Sequence, residues 1–333
     1  MNELLTIGIP TYNSLETLVS ALESIESQLK IFPNYPVEIY VSDNCSKYDI
    51  SFELAKYFDE NFYNKLIINI NEENVGYDNN LQIIISESNG KYVKLLADDD
   101  LLDSNFLKDF FSGLAKLEYE PDMIISNFVF KTSDLQKIVK SEWFDSANEF
   151  HDKDLFKALN KINHAYGQVS SLVFKRESVL KLKPQFLKTN YIHVYWFFCL
   201  LENNRIEIFQ MPNVIVRQGA PNWTGDGIIN ILTPLGGILA IEQSTLIDKK
   251  LKVRLIKQQM DYCFEQLTSI KNQNIKQRFL ILFKFFPYAK YRLIYWFFWI
   301  PWILLPKFIR LSFKAIRKLI RKLLVLINSV YNR

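Results

Sequence analysis

The stretch Lys91-Tyr92-Val93-Lys94-Leu95-Leu96-Ala97-Asp98-Asp99-Asp100-Leu101-Leu102 decides the fold of this chain. It follows the turn dipeptide Asn89-Gly90, and its first seven residues are typical of a buried strand. Three aspartates then end that strand. Because neighbouring carboxylates repel one another, packing them together is costly unless a cation lies among them. A hard divalent ion, Mg²⁺ or Mn²⁺, prefers such oxygen ligands, and a solvated turn is the alternative interpretation.

The residues before this stretch alternate between strand and helix patterns. The predicted strands are short and apolar, and the first helix has its apolar residues at helical spacing. Such alternation predicts an α/β fold with a Rossmann-like, mostly parallel sheet flanked by helices. The predicted strands are Leu4–Ile9, Val37–Val41, Leu66–Ile70 and Tyr92–Leu96, and the predicted helices are Leu15–Leu29, Phe52–Phe58 and Asn80–Ser88.

Polar residues follow each predicted strand. They are Thr11-Tyr12-Asn13, Asp43-Asn44, Asn74–Asn80 and Asp98–Asp100. Because ligands bind at the carboxyl ends of parallel strands, we expect these residues to converge on one crevice that binds a nucleotide. The sequence has no Gly-x-Gly-x-x-Gly after the first strand and no Walker-type Gly-Lys-Ser/Thr motif. A metal held by the aspartates would therefore bind the diphosphate in place of a glycine-rich loop.

These segments together resemble the family 2 glycosyltransferases, which have the GT-A fold. The matching pieces are Thr6–Asn13, Val37–Ser46, Asn74–Asn80 and Lys91–Leu102, within about residues 4–105, and weaker matches run to about residue 220. The likeness is to bacterial enzymes that build O-antigen, capsule or related surface glycans. It implies a nucleotide-sugar donor, with a uridine base favoured.

The resemblance implies a role for each matching position. Tyr12 would stack on the base, Asp43 would accept hydrogen bonds from it, and Asp98 would contact the ribose. The implied donor-binding residues are Pro10, Thr11, Tyr12, Asn13, Asp43, Asn74, Gly76, Asp78, Asn80, Asp98 and Arg217. Arg217 would contact the leaving diphosphate or an acceptor phosphate.

The metal ligands allow two alignments with the family. Read as Asp-x-Asp, the pair is Asp98 and Asp100; read as Asp-Ala-Asp-Asp, Ala97 replaces the first acid and Asp99 becomes the ligand. The resemblance thus implies Mn²⁺ or Mg²⁺ bound among Asp98, Asp99 and Asp100, and it gives Asp99 a catalytic role.

The second half of the chain carries the expected base. Residues 165–176 resemble the Gly-x-x-Ser-Ser strand that closes the donor site in the family. A predicted helix, Tyr191–Asn204, follows, and then two predicted strands, Ile206–Gln210 and Val214–Arg217. Many family members begin this helix with Glu-Asp, whose Asp is the general base of an inverting transfer, whereas this chain has Ile192-His193. A histidine that titrates near neutrality suits that step; Asp145 and Asp154 are the other candidates.

The charge is distributed unevenly along the chain. Its net charge is +4, yet residues 266–333 carry fourteen Lys/Arg and no Asp or Glu, which leaves an acidic body. Residues 293–305 are apolar and aromatic, and a basic amphipathic pattern follows Pro306. We expect residues 1–225 to be the catalytic domain, divided at residue 105 into donor and acceptor halves. Residues 226–292 would be a helical connector and residues 293–333 a membrane-associating amphipathic tail.

The sequence predicts a metal-dependent, inverting glycosyltransferase at the cytoplasmic face of the bacterial inner membrane. A lipid-linked glycan would be its acceptor, and nucleic acid is not an expected partner because the body is acidic. Three scattered cysteines argue against a disulfide framework, and the first residues lack the pattern of a signal peptide. The alternatives are a sugar nucleotidyltransferase, which would normally show a glycine-rich basic loop after the first strand, and an inactive membrane-bound scaffold.

Overall fold

A computed structural model describes residues 5–144, 159–162, 165–182, 190–201, 206–217, 237–242 and 248–269, with residues 279, 283, 286, 287 and 300. The chain divides into two units, residues 1–255 and 256–333. The predicted tail, apart from residue 300, and most of the predicted connector lie outside the described residues, as do Asp145 and Asp154. No helix within the described ranges is long and apolar enough to cross a membrane.

The first unit begins with the predicted alternation of strands and helices. Its early elements are β1 (Leu5–Thr11), α1 (Leu15–Ile31), β2 (Val37–Asp43), α2 (Ile50–Leu54), α3 (Glu60–Tyr63), β3 (Leu66–Ile70), α4 (Tyr77–Glu87) and β4 (Tyr92–Leu95). The later elements are β5 (Leu101–Leu102), α5 (Phe106–Leu114), β6 (Met123–Lys131), β7 (Ile138–Lys140), β8 (Leu172–Lys175), α6 (Arg176–Leu180), α7 (Ile192–Leu200), β9 (Ile206–Arg217) and α8 (Lys249–Ser269).

The strands form one mixed sheet in the order β3-β2-β1-β4-β8-β6-β9-β5, with β7 paired to β6. The pairs β3–β2, β2–β1 and β1–β4 are parallel, which confirms the predicted α/β alternation. The pair β6–β9 is also parallel, so the predicted parallel character is confirmed in part, within a mixed sheet. β8 runs antiparallel between β4 and β6, and β5 runs antiparallel to β9. The partners of β8 are distant in sequence.

Two boundaries in the second half also differ from the prediction. Residues 165–167 and 169–171 are short 3₁₀ turns rather than strand, and the strand begins only at Leu172. The two predicted strands are one continuous strand, β9. Its register against β6 shifts where Asn127 pairs with Pro212. Proline has no N–H to donate to the ladder, so it looks like a strand break in the sequence and is a bulge in the sheet.

Close packing sets α4 against the sheet. Gly8 lies in β1, and a Cβ at that position would be 2.2 Å from Cγ2 of Ile84 in α4. Glycine therefore allows this close contact between helix and strand. On α1, the buried Gln28 accepts a hydrogen bond from the amide of Leu107 at 2.9 Å, which ties that helix to α5.

Candidate active site

A cavity of about 310 Å³ lies in the first unit, where β1 and β4 end. Three later segments complete its walls: the 3₁₀ turns, the start of α7 and the end of β9. Its lining residues are Pro10, Tyr77, Ala97, Asp98, Asp99, Asp100, Phe130, Gly167, Gln168, Val169, Asn190, Tyr191, His193, Val216 and Arg217. The structure thus brings together the three aspartates, His193 and Arg217, which the sequence predicted as site residues from distant segments.

Asp100 accepts three hydrogen bonds from later segments of the chain. Its Oδ2 accepts from Gln168 Nε2 at 2.7 Å and from the Ser170 hydroxyl at 2.6 Å, and its Oδ1 accepts from the Arg217 amide at 3.1 Å. Burial and the neighbouring Asp99 nevertheless raise the pKa of Asp100, because both disfavour its ionised form. The carboxylate joins the end of β4 to the 3₁₀ turn and to the end of β9.

Asp98 and Asp99 present carboxylates to the cavity. Burial, and next the charge of Asp99, raise the pKa of Asp98 to about 7, although Thr11, Ser14 and the Tyr12 backbone oppose the shift. A carboxyl group that resists ionisation among carboxylates gains strongly from a nearby cation. The electrostatics that the sequence predicted at this strand end are therefore present.

The guanidinium group of Arg217 is held by two backbone carbonyls at the site. Nε donates to the Asp99 carbonyl at 3.1 Å, and Nη1 donates to the Ser133 carbonyl at 3.0 Å. Nη2 is buried and has no hydrogen-bond partner within the part of the chain that the structure describes. A buried charged donor without a partner is costly, so this nitrogen is suited to an anionic ligand in the cavity.

His193 is the second residue of α7 and is 3% exposed. Its Nε2 lies 3.3 Å from the Gly167 carbonyl. Since a carbonyl only accepts, Nε2 carries the proton and Nδ1 carries the lone pair. Nδ1 has no hydrogen-bond partner among the described residues. Burial lowers the pKa of His193 to about 4, with the Gly167 carbonyl and Asp78 opposing, so the ring is neutral near pH 7.

Asp78 connects two helix starts instead of lining the cavity. It lies in the first turn of α4, and its two carboxylate oxygens accept from the amides of Asn190 and Ile192, both at 3.0 Å. These amides belong to the N-terminal end of α7, where a carboxylate is favourable. Asp78 therefore fixes the position from which His193 projects.

The other predicted donor residues surround the strand ends without lining this cavity. Asp43 is 1% exposed, and both its oxygens accept from Ser46, from the amide at 3.1 Å and from the hydroxyl. Asn74 and Asn80 bond to Asn44 and Ser42, which holds the loop after β3 against β2. Gly76, with φ of 83°, precedes α4.

Tyr12 is the exposed member of the predicted base-binding loop. It follows β1 and is 42% exposed, so part of its side chain is accessible to a ligand. Asn13 has φ of 55°, its amide donates to Ser46 at 2.8 Å, and its side chain accepts from the Lys47 amide at 2.9 Å. Thr11 is buried at the end of β1. The loop is thus held by its neighbours while its aromatic ring points outward.

Three further residues at or near the site were not predicted from the sequence. Tyr77 and Tyr191 line the cavity, and burial followed by nearby Asp99 and Asp98 raises the pKa of Tyr77 well above its usual range. Lys94 is fully buried in β4. A lysine inside an otherwise apolar strand was the signal for it, but the pattern does not say what the charge faces.

A divalent metal fits this site only in a particular way. Among the described residues, no group of three or more His, Cys, Asp or Glu side chains is arranged to hold a metal ion. Mg²⁺ and Mn²⁺ sites on nucleotides commonly use one or two carboxylates and complete their shell with phosphate oxygens. Asp98 and Asp99, which line the cavity, can supply that smaller set of ligands.

Comparisons with known proteins agree with this fold. Abequosyltransferase RfbV of Salmonella typhimurium is 28% identical over 204 residues, which are 58% of this chain and 59% of that protein. The chain thus matches less than two thirds of the relative's length. The structure of residues 1–349 of S. aureus TarS aligns with a TM-score of 0.56 at 16% identity, covering 84% of this chain and 79% of that chain. TarS in complex with UDP-GlcNAc gives 0.59 at 15% identity, covering 86% and 81%. The profile of Glycosyl transferase family 2 matches residues 6–182, more than half of the chain, so the protein belongs to glycosyltransferase family 2.

Proposed function

We propose that the protein transfers a sugar from a nucleotide-sugar to an acceptor hydroxyl, with inversion, in the cavity between Asp99 and His193. One observation carries the proposal. Two buried nitrogens without partners among the described residues, Arg217 Nη2 and His193 Nδ1, belong to side chains that line the same cavity as the aspartates. One is a cationic donor and the other an acceptor, as a departing diphosphate and an attacking hydroxyl require.

His193 is the proposed base. With its proton held on Nε2 by the Gly167 carbonyl, Nδ1 can accept the acceptor's proton while the hydroxyl oxygen attacks the anomeric carbon. Its low pKa keeps the lone pair available at neutral pH, though it also makes the imidazole a weak base. Asp78 holds the helix start in place during this step.

Arg217 is the proposed ligand of the leaving group. Its guanidinium is anchored on two backbone carbonyls, and Nη2 is the proposed donor to a phosphate oxygen. Asp98 and Asp99 are the proposed ligands of Mn²⁺ or Mg²⁺, which when bound would offset the charge of the diphosphate. Such a cation also fits carboxyl groups whose pKa values are raised in its absence.

The proposed donor contains uridine. TarS structures that share this fold were determined with UDP and with UDP-GlcNAc. In this chain Tyr12 offers an exposed ring to the base. Asp43 remains the proposed acceptor from the base, because Ser46 uses only one lone pair on each of its carboxylate oxygens.

The proposed acceptor is a lipid-linked glycan of a bacterial surface polysaccharide, reached at the cytoplasmic face of the inner membrane. Its support is the basic, aromatic sequence of residues 293–333 and the similarity to an abequosyltransferase. A chain truncated after residue 270 should lose sedimentation with anionic vesicles. A full-length control in which Arg317, Lys318, Arg321 and Lys322 become Gln should bind them more weakly, and unchanged sedimentation of the truncated chain would contradict docking by the tail.

Release of a nucleoside diphosphate from candidate UDP-sugars, with and without Mn²⁺, tests the reaction. His193→Gln keeps a polar side chain at the helix start but cannot take up the proton, so kcat should fall by about 10²–10⁴-fold with little change in donor affinity. Val194→Ala, a buried neighbour on the same helix, is the matched control and should keep its kcat. Turnover of His193→Gln at the wild-type rate would exclude His193 as the base.

A further inference from the structure

Lys94 is a charged residue in a place that an apolar side chain could fill. It lies within β4 and is 0% exposed. Its Nζ donates to the backbone carbonyl of Ser170 and lies 5.3 Å from the centre of the Phe106 ring. Burying an ammonium group is costly unless hydrogen bonds and an opposite charge compensate. The fold alone does not explain the lysine, since strands of this kind are normally apolar.

Ser170 connects Lys94 to the aspartates. While its carbonyl accepts from Lys94, its hydroxyl donates to Asp100 Oδ2 at 2.6 Å and accepts from the Ala97 amide at 2.9 Å. Gln168, two residues earlier, donates to the same Asp100 oxygen at 2.7 Å. The amino group of Lys94 and the carboxyl group of Asp100 therefore hold the same segment, Lys94 through the Ser170 carbonyl and Asp100 through the side chains of Gln168 and Ser170.

We propose that Lys94 is a positioning residue that, together with Asp100, fixes the turn of residues 165–171 beneath the cavity. Its effect on catalysis rests on the proposed function. Asp100 accepts from the Arg217 amide, and Gly167 in the held turn contacts His193. Lys94 thereby acts on both walls of the site without touching the substrate.

A double-mutant cycle of thermal stability tests the coupling between the two residues. Lys94→Met removes the hydrogen bond to the Ser170 carbonyl, and Asp100→Asn weakens the hydrogen bonds that the Asp100 carboxyl group accepts from Gln168 and Ser170. We expect the melting temperature of the double variant to decrease by clearly less than the sum of the decreases in the two single variants. Additive losses would overturn the proposal. If Lys94→Met alone does not fold, a double variant with a melting temperature near that of Asp100→Asn supports the proposal. A double variant that does not fold, while Asp100→Asn does, overturns the proposal.

Binding of UDP in the presence of Mn²⁺ tests the positioning. Lys94→Met should raise the dissociation constant by about tenfold or more, a loss of about 1.4 kcal/mol. Val93→Ala removes buried volume from the adjacent position of the same strand and should keep the wild-type affinity at a temperature where both variants are folded. Wild-type affinity in Lys94→Met would refute the positioning role. Failure of the wild-type protein to bind UDP would count against the proposed donor, while the stability cycle would still decide the pairing.

Discussion

Arg217→Met gives a sharp test of the donor site. The Arg217 guanidinium donates two hydrogen bonds to backbone carbonyls, and its Nη2 has no hydrogen-bond partner among the described residues. A charge-assisted hydrogen bond from Nη2 to a phosphate oxygen contributes about 1.5–3 kcal/mol. Its loss should therefore weaken nucleoside diphosphate binding by roughly tenfold to a hundredfold or somewhat more. Isothermal titration of UDP with Mn²⁺ present measures this directly.

Arg176→Met is the matched control for that experiment. Arg176 also holds two backbone carbonyls, those of Ile85 at 2.8 Å and Ser86 at 2.6 Å, but it does not line the cavity. It should lose stability comparable to Arg217→Met and keep its affinity for UDP. Equal affinities for UDP in the wild-type protein and Arg217→Met would refute the role of Nη2, and an equal loss in Arg176→Met would show that the effect is not local to the cavity.

Three further predictions concern stability and geometry. Burial lowers the pKa of His193 from 6.5 to about 4, so its stabilising contribution is present above pH 6.5 and is lost as the pH falls towards 4, by up to about 3 kcal/mol. Between these pH values, the melting temperature of the wild-type protein should fall more steeply with falling pH than that of His193→Gln. Parallel curves of melting temperature against pH would contradict this prediction. Asp78→Ala removes two hydrogen bonds at the start of α7, so it should cost about 2 kcal/mol or more and lower kcat more than donor affinity, whereas an unchanged kcat in the folded variant would separate Asp78 from His193. Gly8→Ala should destabilise by about 1–3 kcal/mol through its clash with Ile84, and a melting temperature equal to that of the wild-type protein would show that α4 moves freely.

The first half of the fold could be predicted because its signals are local. Short apolar strands and helical spacing placed β1, β2, β3 and β4 within a few residues of their observed bounds. The direction of β8 could not be predicted, since an antiparallel neighbour is chosen by partners about 50 and 80 residues away, Met123 and Lys94 among them. Pro212 was misleading for the same reason, because a bulge depends on the strand opposite it.

The candidate site divides in a similar way. The aspartates, His193 and Arg217 were predicted because each lies at or near the end of an element, where the sequence pattern is informative. The sequence did not show that Asp78 would hold the start of α7, or that Asp100 would be occupied by Gln168, Ser170 and Arg217. These contacts depend on how distant segments meet, and no local pattern carries that information.

The hydrogen bonds around the cavity have a consequence for the order in which the chain folds. Ser170 meets Lys94 across 76 residues, Ile192 meets Asp78 across 114, and Arg217 meets Asp99 across 118. Closing such long loops costs conformational entropy before the contacts that stabilise the closed loops can form. These hydrogen bonds therefore form late in folding. On a ribosome, the parallel strands β1 to β4 can pair while the site is still open, and the site cannot be complete until residue 217 has emerged. A nascent chain shorter than this would carry a partly built sheet without a working cavity.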